Sequence, residues 1–165
     1  MADKVAVLVG TRKGAFVFTS SPGRSRWQVS GPHFHAYEVF HVSFDPRGGA
    51  RLYAAVNSSW WGSHLHSSAN LGRTWKLSEQ GLGFEESSGR KLKRIWHIAP
   101  APADEPGVVY AGVDPGALFR SEDRGRSWRE VMGLTDHPTR ERWQPGAGGL
   151  GERRTGGMGV GAPSA

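Results

Sequence analysis

The stretch Ser121-Glu122-Asp123-Arg124-Gly125-Arg126-Ser127-Trp128 decides the fold, because its pattern occurs a second time in the chain. The other copy reads Ser68-Ala69-Asn70-Leu71-Gly72-Arg73-Thr74-Trp75. Both copies fit Ser-x-Asp/Asn-x-Gly-x-Ser/Thr-Trp, and a pattern that returns after about 50 residues indicates an internal structural repeat. We refer to residues 68–75 and 121–128 as the two boxes.

Each position of a box suits a tight turn that leads into a strand. A short Asp or Asn side chain accepts hydrogen bonds from backbone N–H groups further along the turn. The glycine tolerates a positive φ, which a Cβ would oppose. The Trp supplies a large apolar contact at the next strand. We therefore interpret the following as structural rather than catalytic residues: Ser68, Asn70, Gly72, Trp75, Ser121, Asp123, Gly125 and Trp128.

Short apolar runs recur at matching distances from the boxes and predict strands. Three runs align as 7–12, 52–57 and 109–114, three more as 15–18, 64–67 and 117–120, and two as 41–46 and 97–102. In the second set this alignment places Val17, His66 and Phe119 at one position. Residues 19–27 form a degraded box that is one residue too long. The pattern predicts four strands per unit, with the innermost strand of the first unit missing.

The boxes resemble the Asp-box, or BNR repeat, of bacterial sialidase-like β-propellers, which are often described as exo-sialidases or glycosyl hydrolases. The resemblance covers roughly residues 4–150 and includes Arg94-Ile95-Trp96-His97-Ile98. It implies an all-β fold, a partial β-propeller of about two and a half four-stranded blades. The implied units are a partial blade at 1–30, blades at 36–78 and 94–132, and the start of another blade at 133–150.

A closed propeller has about four to eight blades, so the resemblance implies a chain that is truncated at its C-terminus. Residues 151–165 are rich in Gly and lack strand periodicity, which predicts a disordered tail. Our hypothesis is that a frameshift or a premature stop replaced the remaining blades. The uncovered flanks of the outer blades predict self-association.

The composition excludes several classes of function. The 165 residues contain no Cys, which rules out disulfides, thiolate metal sites and Cys nucleophiles. The N-terminal apolar run 5–9 is too short for a secretion signal, so we expect a cytoplasmic protein without a membrane partner. The formal charge of +6 comes from scattered Lys and Arg without a nucleic-acid module, so we expect no nucleic-acid partner.

The resemblance implies that any function lies on the loops around a central channel. The candidate ligand contacts there are His35, Glu38, Trp60, Trp61, Arg94, Asp114, His137 and Arg140. The adjacent indoles of Trp60 and Trp61 suit stacking on a sugar ring or covering an apolar ligand, with packing between blades as the alternative. The expected ligand is a carbohydrate or a protein.

The residues that a sialidase needs cannot be assigned to this chain. Tyr53 and Tyr110 occupy equivalent strand positions, which predicts core residues rather than a nucleophile. Arg94-Ile95 continues to Trp96, so the Arg-Ile-Pro signature of true sialidases is absent. We expect a chain without catalysis of its own. The alternatives are a glycoside hydrolase in the full-length form, with carboxylates such as Glu38, Glu85 and Asp114 as acid and base, and a non-catalytic binding scaffold.

Two His-x-His pairs, 33–35 and 64–66, have a spacing that can suit a metal. Neither pair has a third ligand at a defined spacing. We therefore expect no metal site and no cofactor.

Overall fold

A computed structural model describes residues 4–142 of the chain. The predicted tail at 151–165 lies outside the described residues, as do residues 143–150 of the segment predicted to begin another blade. Within residues 4–142 the structure contains 11 strands in three antiparallel sheets. The predicted all-β class is confirmed.

The sheets follow one another along the chain, and each is a meander of consecutive strands. Sheet I contains β1 (Val5–Thr11), β2 (Gly14–Ser20) and β3 (Trp27–His33). Sheet II contains β4 (Glu38–Asp45), β5 (Arg51–Ser58), β6 (Gly62–Ser68) and β7 (Lys76–Leu77). Sheet III contains β8 (Arg94–Pro100), β9 (Val109–Asp114), β10 (Ala117–Ser121) and β11 (Arg129–Glu130).

Helix is confined to short segments in the described part of the chain. One turn of α-helix, α1, spans Met132–Thr135, and 3-10 turns span Glu86–Ser88 and Arg140–Arg142. The resemblance implied an all-β fold and assigned residues 133–150 to the start of another blade. The described part of that segment, up to residue 142, is helix and turn rather than strand.

The burial of the strands shows how the sheets stack. Five consecutive residues of β5, from Leu52 to Val56, are buried, because sheet II has a neighbour on each face. Along β9 buried and half-buried residues alternate, as expected for a strand with one covered face. The two cores lie between the sheets. Sheets II and III bury Tyr53, Ala55, Leu65, Ile95, Ile98, Val109, Ala111, Val113, Ala117, Phe119 and Trp128, and sheets I and II bury Ala15, Val39, Ala54 and Val56.

The register of sheet I corrects one alignment made from the sequence. Val17 pairs with Leu8 and is buried, whereas Phe16 pairs with Val9 on the opposite face. Val9 aligns with Ala54 and Ala111 of the other sheets, which pair with His66 and Phe119. The residue of sheet I at this position is therefore Phe16, which pairs with Val9, and not Val17. The reason is the turn between β1 and β2, where only two residues separate the pair Thr11–Gly14. This turn is one residue shorter than the turn that the alignment assumed.

The two boxes share several hydrogen bonds and occupy the same place, between the third and fourth strands of sheets II and III. In the second box the backbone N–H of Gly125 donates to Oγ of Ser121 at 2.8 Å. Oδ1 of Asp123 accepts from the backbone N–H groups of Arg126 and Ser127, each at 2.9 Å. In the first box Gly72 donates to Ser68 in the same way, at 2.9 Å, and Asn70 accepts from Thr74 at 2.9 Å. The boxes are therefore self-contained turns.

Box glycines also set how closely the sheets approach each other. Gly125 has φ +82°, and a Cβ on it would lie 3.0 Å from the Tyr53 ring of sheet II. Nε1 of Trp128 donates to Oγ of Ser78, which follows β7, at 3.0 Å. The second box thus stabilises its own turn and also contributes to the contact between sheets II and III.

Candidate functional site

The candidate residues of sheets II and III lie at one end of the stack. Glu38 pairs with Asn57 where β4 begins and β5 ends, and Arg94 pairs with Asp114 at the equivalent place in sheet III. Oγ of Ser63 lies within hydrogen-bond distance of both Asn57 and the carbonyl of Lys93, just before β8, so these two ends lie together. We call this end the turn face; it also carries the β1–β2, β5–β6 and β9–β10 turns.

Glu38 is the centre of a polar network on the turn face. Its carboxylate accepts a hydrogen bond from the side-chain amide of Asn57 at 3.2 Å and lies 3.7 Å from the guanidinium of Arg12. Oγ of Ser63 donates to Oδ1 of Asn57 at 3.0 Å and to the carbonyl of Lys93 at 2.7 Å. The network links all three sheets, so Glu38 has a structural task at this end.

Arg94 is engaged by aromatic side chains of the first strands. Its guanidinium carbon lies 5.0 Å from the ring centre of Phe40 and 5.6 Å from that of Trp96. The two rings meet edge to face at 4.9 Å. Phe40 was not a candidate, because its position matters only once β4 and β8 are side by side.

Trp60 and Trp61 occupy the β5–β6 turn and are 88% and 74% exposed. Packing between sheets, one of the two alternatives drawn from the sequence, is therefore wrong for these indoles within the described structure. Oγ of Ser58 accepts from the backbone N–H groups of both Trp residues at 3.2 Å, so the turn is held by its own hydrogen bonds. The chain presents two large apolar rings to solvent on a fixed turn.

A cavity of about 210 Å³ opens beside Trp61. Its wall is formed by two parts of the chain that are distant in sequence, the β3–β4 connection and one face of sheet II. The lining residues are Phe34, Tyr37, Val56, Ser58, Trp61, His64, His66 and Leu77. Sequence reasoning identified Trp61 but missed Phe34, Tyr37 and Leu77, because no shared period connects them.

His66 lines this cavity and is part of an aromatic cluster with Phe34 and Trp75. Its ring centre is 4.7 Å from that of Phe34, which in turn is 5.0 Å from Trp75. Burial, followed by the nearby His64, lowers the pKa of His66 to about 4. Its Nδ1 is buried and has no hydrogen-bond partner among the described residues. His66 is thus a neutral packing residue near neutral pH, as its strand position suggested.

The His-x-His pairs do not converge on a metal. Nε2 of His33 lies 3.1 Å from Oγ of Ser30, while His35 is exposed in the β3–β4 connection. His64 contacts the carbonyl of Trp61, and His66 packs on Phe34. Within residues 4–142 no group of three or more His, Asp or Glu side chains could hold a metal ion.

The remaining candidates lie around sheet III. The backbone carbonyl of Asp114 accepts a hydrogen bond from the N–H of Lys93 at 2.8 Å. Arg140 donates to the carbonyl of Gly116 at 2.7 Å, which brings it to the same β9–β10 turn. His137 lies between α1 and the last 3-10 turn, with Nδ1 2.8 Å from Oγ1 of Thr139. Asp114 and Arg140 therefore share the turn face.

Neither of the repeat-equivalent Tyr residues is placed as a nucleophile. Tyr53 is fully buried, and burial raises its pKa to about 12. Tyr110 is half-buried on the far face of sheet III, and its hydroxyl accepts from Nε of Arg120 at 3.3 Å. The expectation of a core residue holds fully for Tyr53 only.

Comparison with known proteins does not assign the chain. No protein-family model matches it, and no curated protein matches it either. Within residues 4–142 no helix has the length and apolar character needed to cross a membrane.

Proposed function

We propose that the chain is part of a sialidase-like Asp-box β-propeller and that its β5–β6 turn binds a carbohydrate without hydrolysing it. The observation that carries the ligand is the pair of exposed indoles, Trp60 and Trp61, beside the aromatic cavity of about 210 Å³. Sites of this kind, concave and largely apolar with a few polar groups, are the usual places for small ligands.

The stacking of the sheets supports the propeller. Consecutive four-stranded sheets that face each other and repeat one turn at one position are the building units of propellers. Sheets II and III meet these conditions, with their first strands adjacent and a box between their third and fourth strands. Sheet I has the same order but lacks the first strand.

The chemistry of the turn supports a carbohydrate. The apolar face of a sugar ring can cover an indole, while its hydroxyl groups need donors and acceptors at the rim. Asn57 and Ser58 end the strand that leads into the turn with the two indoles, and the Glu38–Arg12 pair lies next to Asn57. The turn therefore combines flat apolar rings with groups that can both donate and accept.

The same geometry argues against hydrolysis. Glu38 is held by Asn57 and Arg12, and the pKa of Tyr53 lies near 12 in a position that substrate cannot reach. A glycosidase needs two carboxyl groups, or a Tyr in place of one, on either side of the scissile bond. Of the candidate carboxylates on the turn face, Glu38 is engaged by Asn57 and Arg12.

Titration of the full chain with saccharides tests the proposal. Neutral hexoses, N-acetylhexosamines and a sialic acid would be compared by tryptophan fluorescence and by ligand-observed NMR. We expect Trp61→Ala to weaken binding at least tenfold, about 1.4 kcal/mol, because the indole lines the cavity. Trp27→Phe is the matched control, since Trp27 is also exposed but lies in sheet I.

Two results would reject carbohydrate binding: no saccharide bound at millimolar concentration, or binding that survives in both Trp60→Ala and Trp61→Ala. The hydrolase alternative is tested separately with fluorogenic glycosides, sialosides included. We expect no turnover. Turnover that is abolished by Glu38→Gln or Asp114→Asn would establish catalysis in place of binding alone.

A further inference from the structure

The outer face of sheet I is an apolar surface that no other described element covers fully. Pairing places Val7, Phe18 and Val29 side by side across the three strands, with Val9 and Phe16 in the adjacent row. Val29 is 58% exposed and Val7 is 45% exposed. Contiguous apolar surface of this kind on a soluble protein marks an interaction site.

The equivalent face of the other two sheets always receives a preceding sheet. In sheet III the row Ala111–Phe119 packs against sheet II, and Phe119 is only 1% exposed. In sheet II the equivalent pair Ala54–His66 faces sheet I. Phe16, the counterpart of Phe119, therefore lies on the face that another sheet covers in sheets II and III.

The outer face of sheet III carries residues equivalent to those with which sheet II packs on sheet III. Sheet II packs onto sheet III with Tyr53 and Leu65, both almost fully buried. Tyr110 and Leu118 take the equivalent positions in sheet III and point away from sheet II, where both are only half-buried. At Gly112, the counterpart of Ala55, an added Cβ would meet no described atom within 4 Å.

We propose that the outer face of sheet I binds the outer face of sheet III of a second copy of this chain. A contact between two different faces is heterologous, so repeating it either closes a ring or makes an open chain. Two copies with three sheets each would close a ring of six sheets, which is inside the range of about four to eight blades for closed propellers. The pairing rests on the proposed propeller stacking but is independent of the carbohydrate.

The mass of the full chain in solution tests the proposal. Light scattering and sedimentation at micromolar concentration should give twice 17.9 kDa. Val29→Lys should weaken the dimer at least tenfold by placing a charge on the exposed face of sheet I. Gly112→Glu should do the same from sheet III, where the added side chain has open space. Phe44→Lys is the control, because Phe44 is 45% exposed on β4 of sheet II.

Mixing the two variants distinguishes this arrangement from other dimers. In a mixed dimer of Val29→Lys and Gly112→Glu, one of the two contacts is built from unchanged faces, and both substitutions fall in the other contact. We therefore expect the mixture to recover the dimer that each variant alone has lost. A symmetric contact of sheet I with itself would not be rescued in this way.

Three results would overturn the proposal: a monomeric wild-type chain, open assemblies that grow with concentration, or a mixture that stays monomeric. Circular dichroism of each variant checks that the fold persists. Both substitutions should allow this, because Val29 is exposed and a Cβ at Gly112 would meet no described atom within 4 Å. A wild-type chain that stays monomeric but still binds saccharide would reject the pairing alone and leave the proposed function standing.

Discussion

The imidazole rings of His41 and His97 stack with their centres 4.3 Å apart, between the first strands of sheets II and III. Nδ1 of His41 accepts a hydrogen bond from the backbone N–H of Ile98 at 3.1 Å. Only the neutral ring can accept this bond at Nδ1. Burial, followed by the nearby His97, lowers the pKa of His41 below its ordinary value. This inter-sheet contact therefore requires an unprotonated His41.

Acid should weaken the contact between sheets II and III. The pKa of His41 is lower in the folded chain than in the unfolded chain, so the unfolded chain binds more protons as the pH falls. The free energy of unfolding should be unaffected by His41 well above about pH 6.5 and should fall as the pH drops below it. His41→Asn removes the titrating ring and should reduce the difference in melting temperature between pH 7.5 and pH 5.5. A variant that keeps the full difference would contradict this role.

His66 should make a second, separable contribution to the same acid sensitivity. Its pKa of about 4 means that the folded chain resists protonation that the unfolded chain accepts, so stability falls between about pH 6.5 and pH 4. Phe119 occupies the equivalent position in sheet III. We expect His66→Phe to flatten this pH dependence and to raise stability at pH 7.5 by about 1 kcal/mol, because an unpartnered buried nitrogen is removed.

Chemical denaturation at several pH values measures this effect. His35→Asn is the control, since it makes the same kind of change at an exposed residue outside the aromatic cluster. If His66→Phe lowered stability at pH 7.5, the imidazole would have a partner or a role that packing does not explain.

Features of the fold and the site that depend on residues close together in the sequence could be predicted from it, and features that depend on distant residues could not. The turn at Asp123 and Gly125 was predictable, because its hydrogen bonds join residues within the box. The position of Val17 was predicted wrongly, because a turn shorter by one residue reverses the faces of β2. The cavity wall at Phe34 and Tyr37 was not predictable, since it forms only when the β3–β4 connection folds over sheet II.

Gly125 offers a test of the contact between a box and the preceding sheet. Gly125 has φ +82° and would place a Cβ 3.0 Å from the Tyr53 ring. Gly62 has nearly the same φ, +81°, but no atom lies within 4 Å of its Cβ position. Gly125→Ala should therefore destabilise the fold by about 1–3 kcal/mol more than Gly62→Ala, since both carry the same backbone strain and only one also crowds a buried ring. If urea denaturation gave the same loss in free energy of unfolding for both variants, the Tyr53 ring would be able to move aside without destabilising the fold.

Asp123 and Asn70 perform the same task in the two boxes with different charge. Partial burial acts to raise the pKa of Asp123, but hydrogen bonds from the side chain and backbone of Ser127 outweigh it and lower the pKa to about 2. In the first box the amide of Asn70 donates to Oγ1 of Thr74 at 2.9 Å, where Asp123 instead accepts from Oγ of Ser127 at 2.6 Å. A hydroxyl can serve either arrangement, so the second box should tolerate an amide.

The carboxylate should therefore matter chiefly in acid. Because the folded-state pKa of Asp123 lies below the unfolded value, its stabilisation is complete above about pH 4 and is lost as the pH falls toward 2. Asp123→Asn should cost about 1 kcal/mol at pH 7, since the site is partly solvated, and should remove this part of the loss between pH 4 and pH 2. Thermal unfolding across that range measures both effects, with Asn70→Asp as the reciprocal variant that should introduce an acid-sensitive step into the first box. If Asp123→Asn unfolded the chain at pH 7, the charge itself would be required, and the equivalence of the two boxes would be wrong.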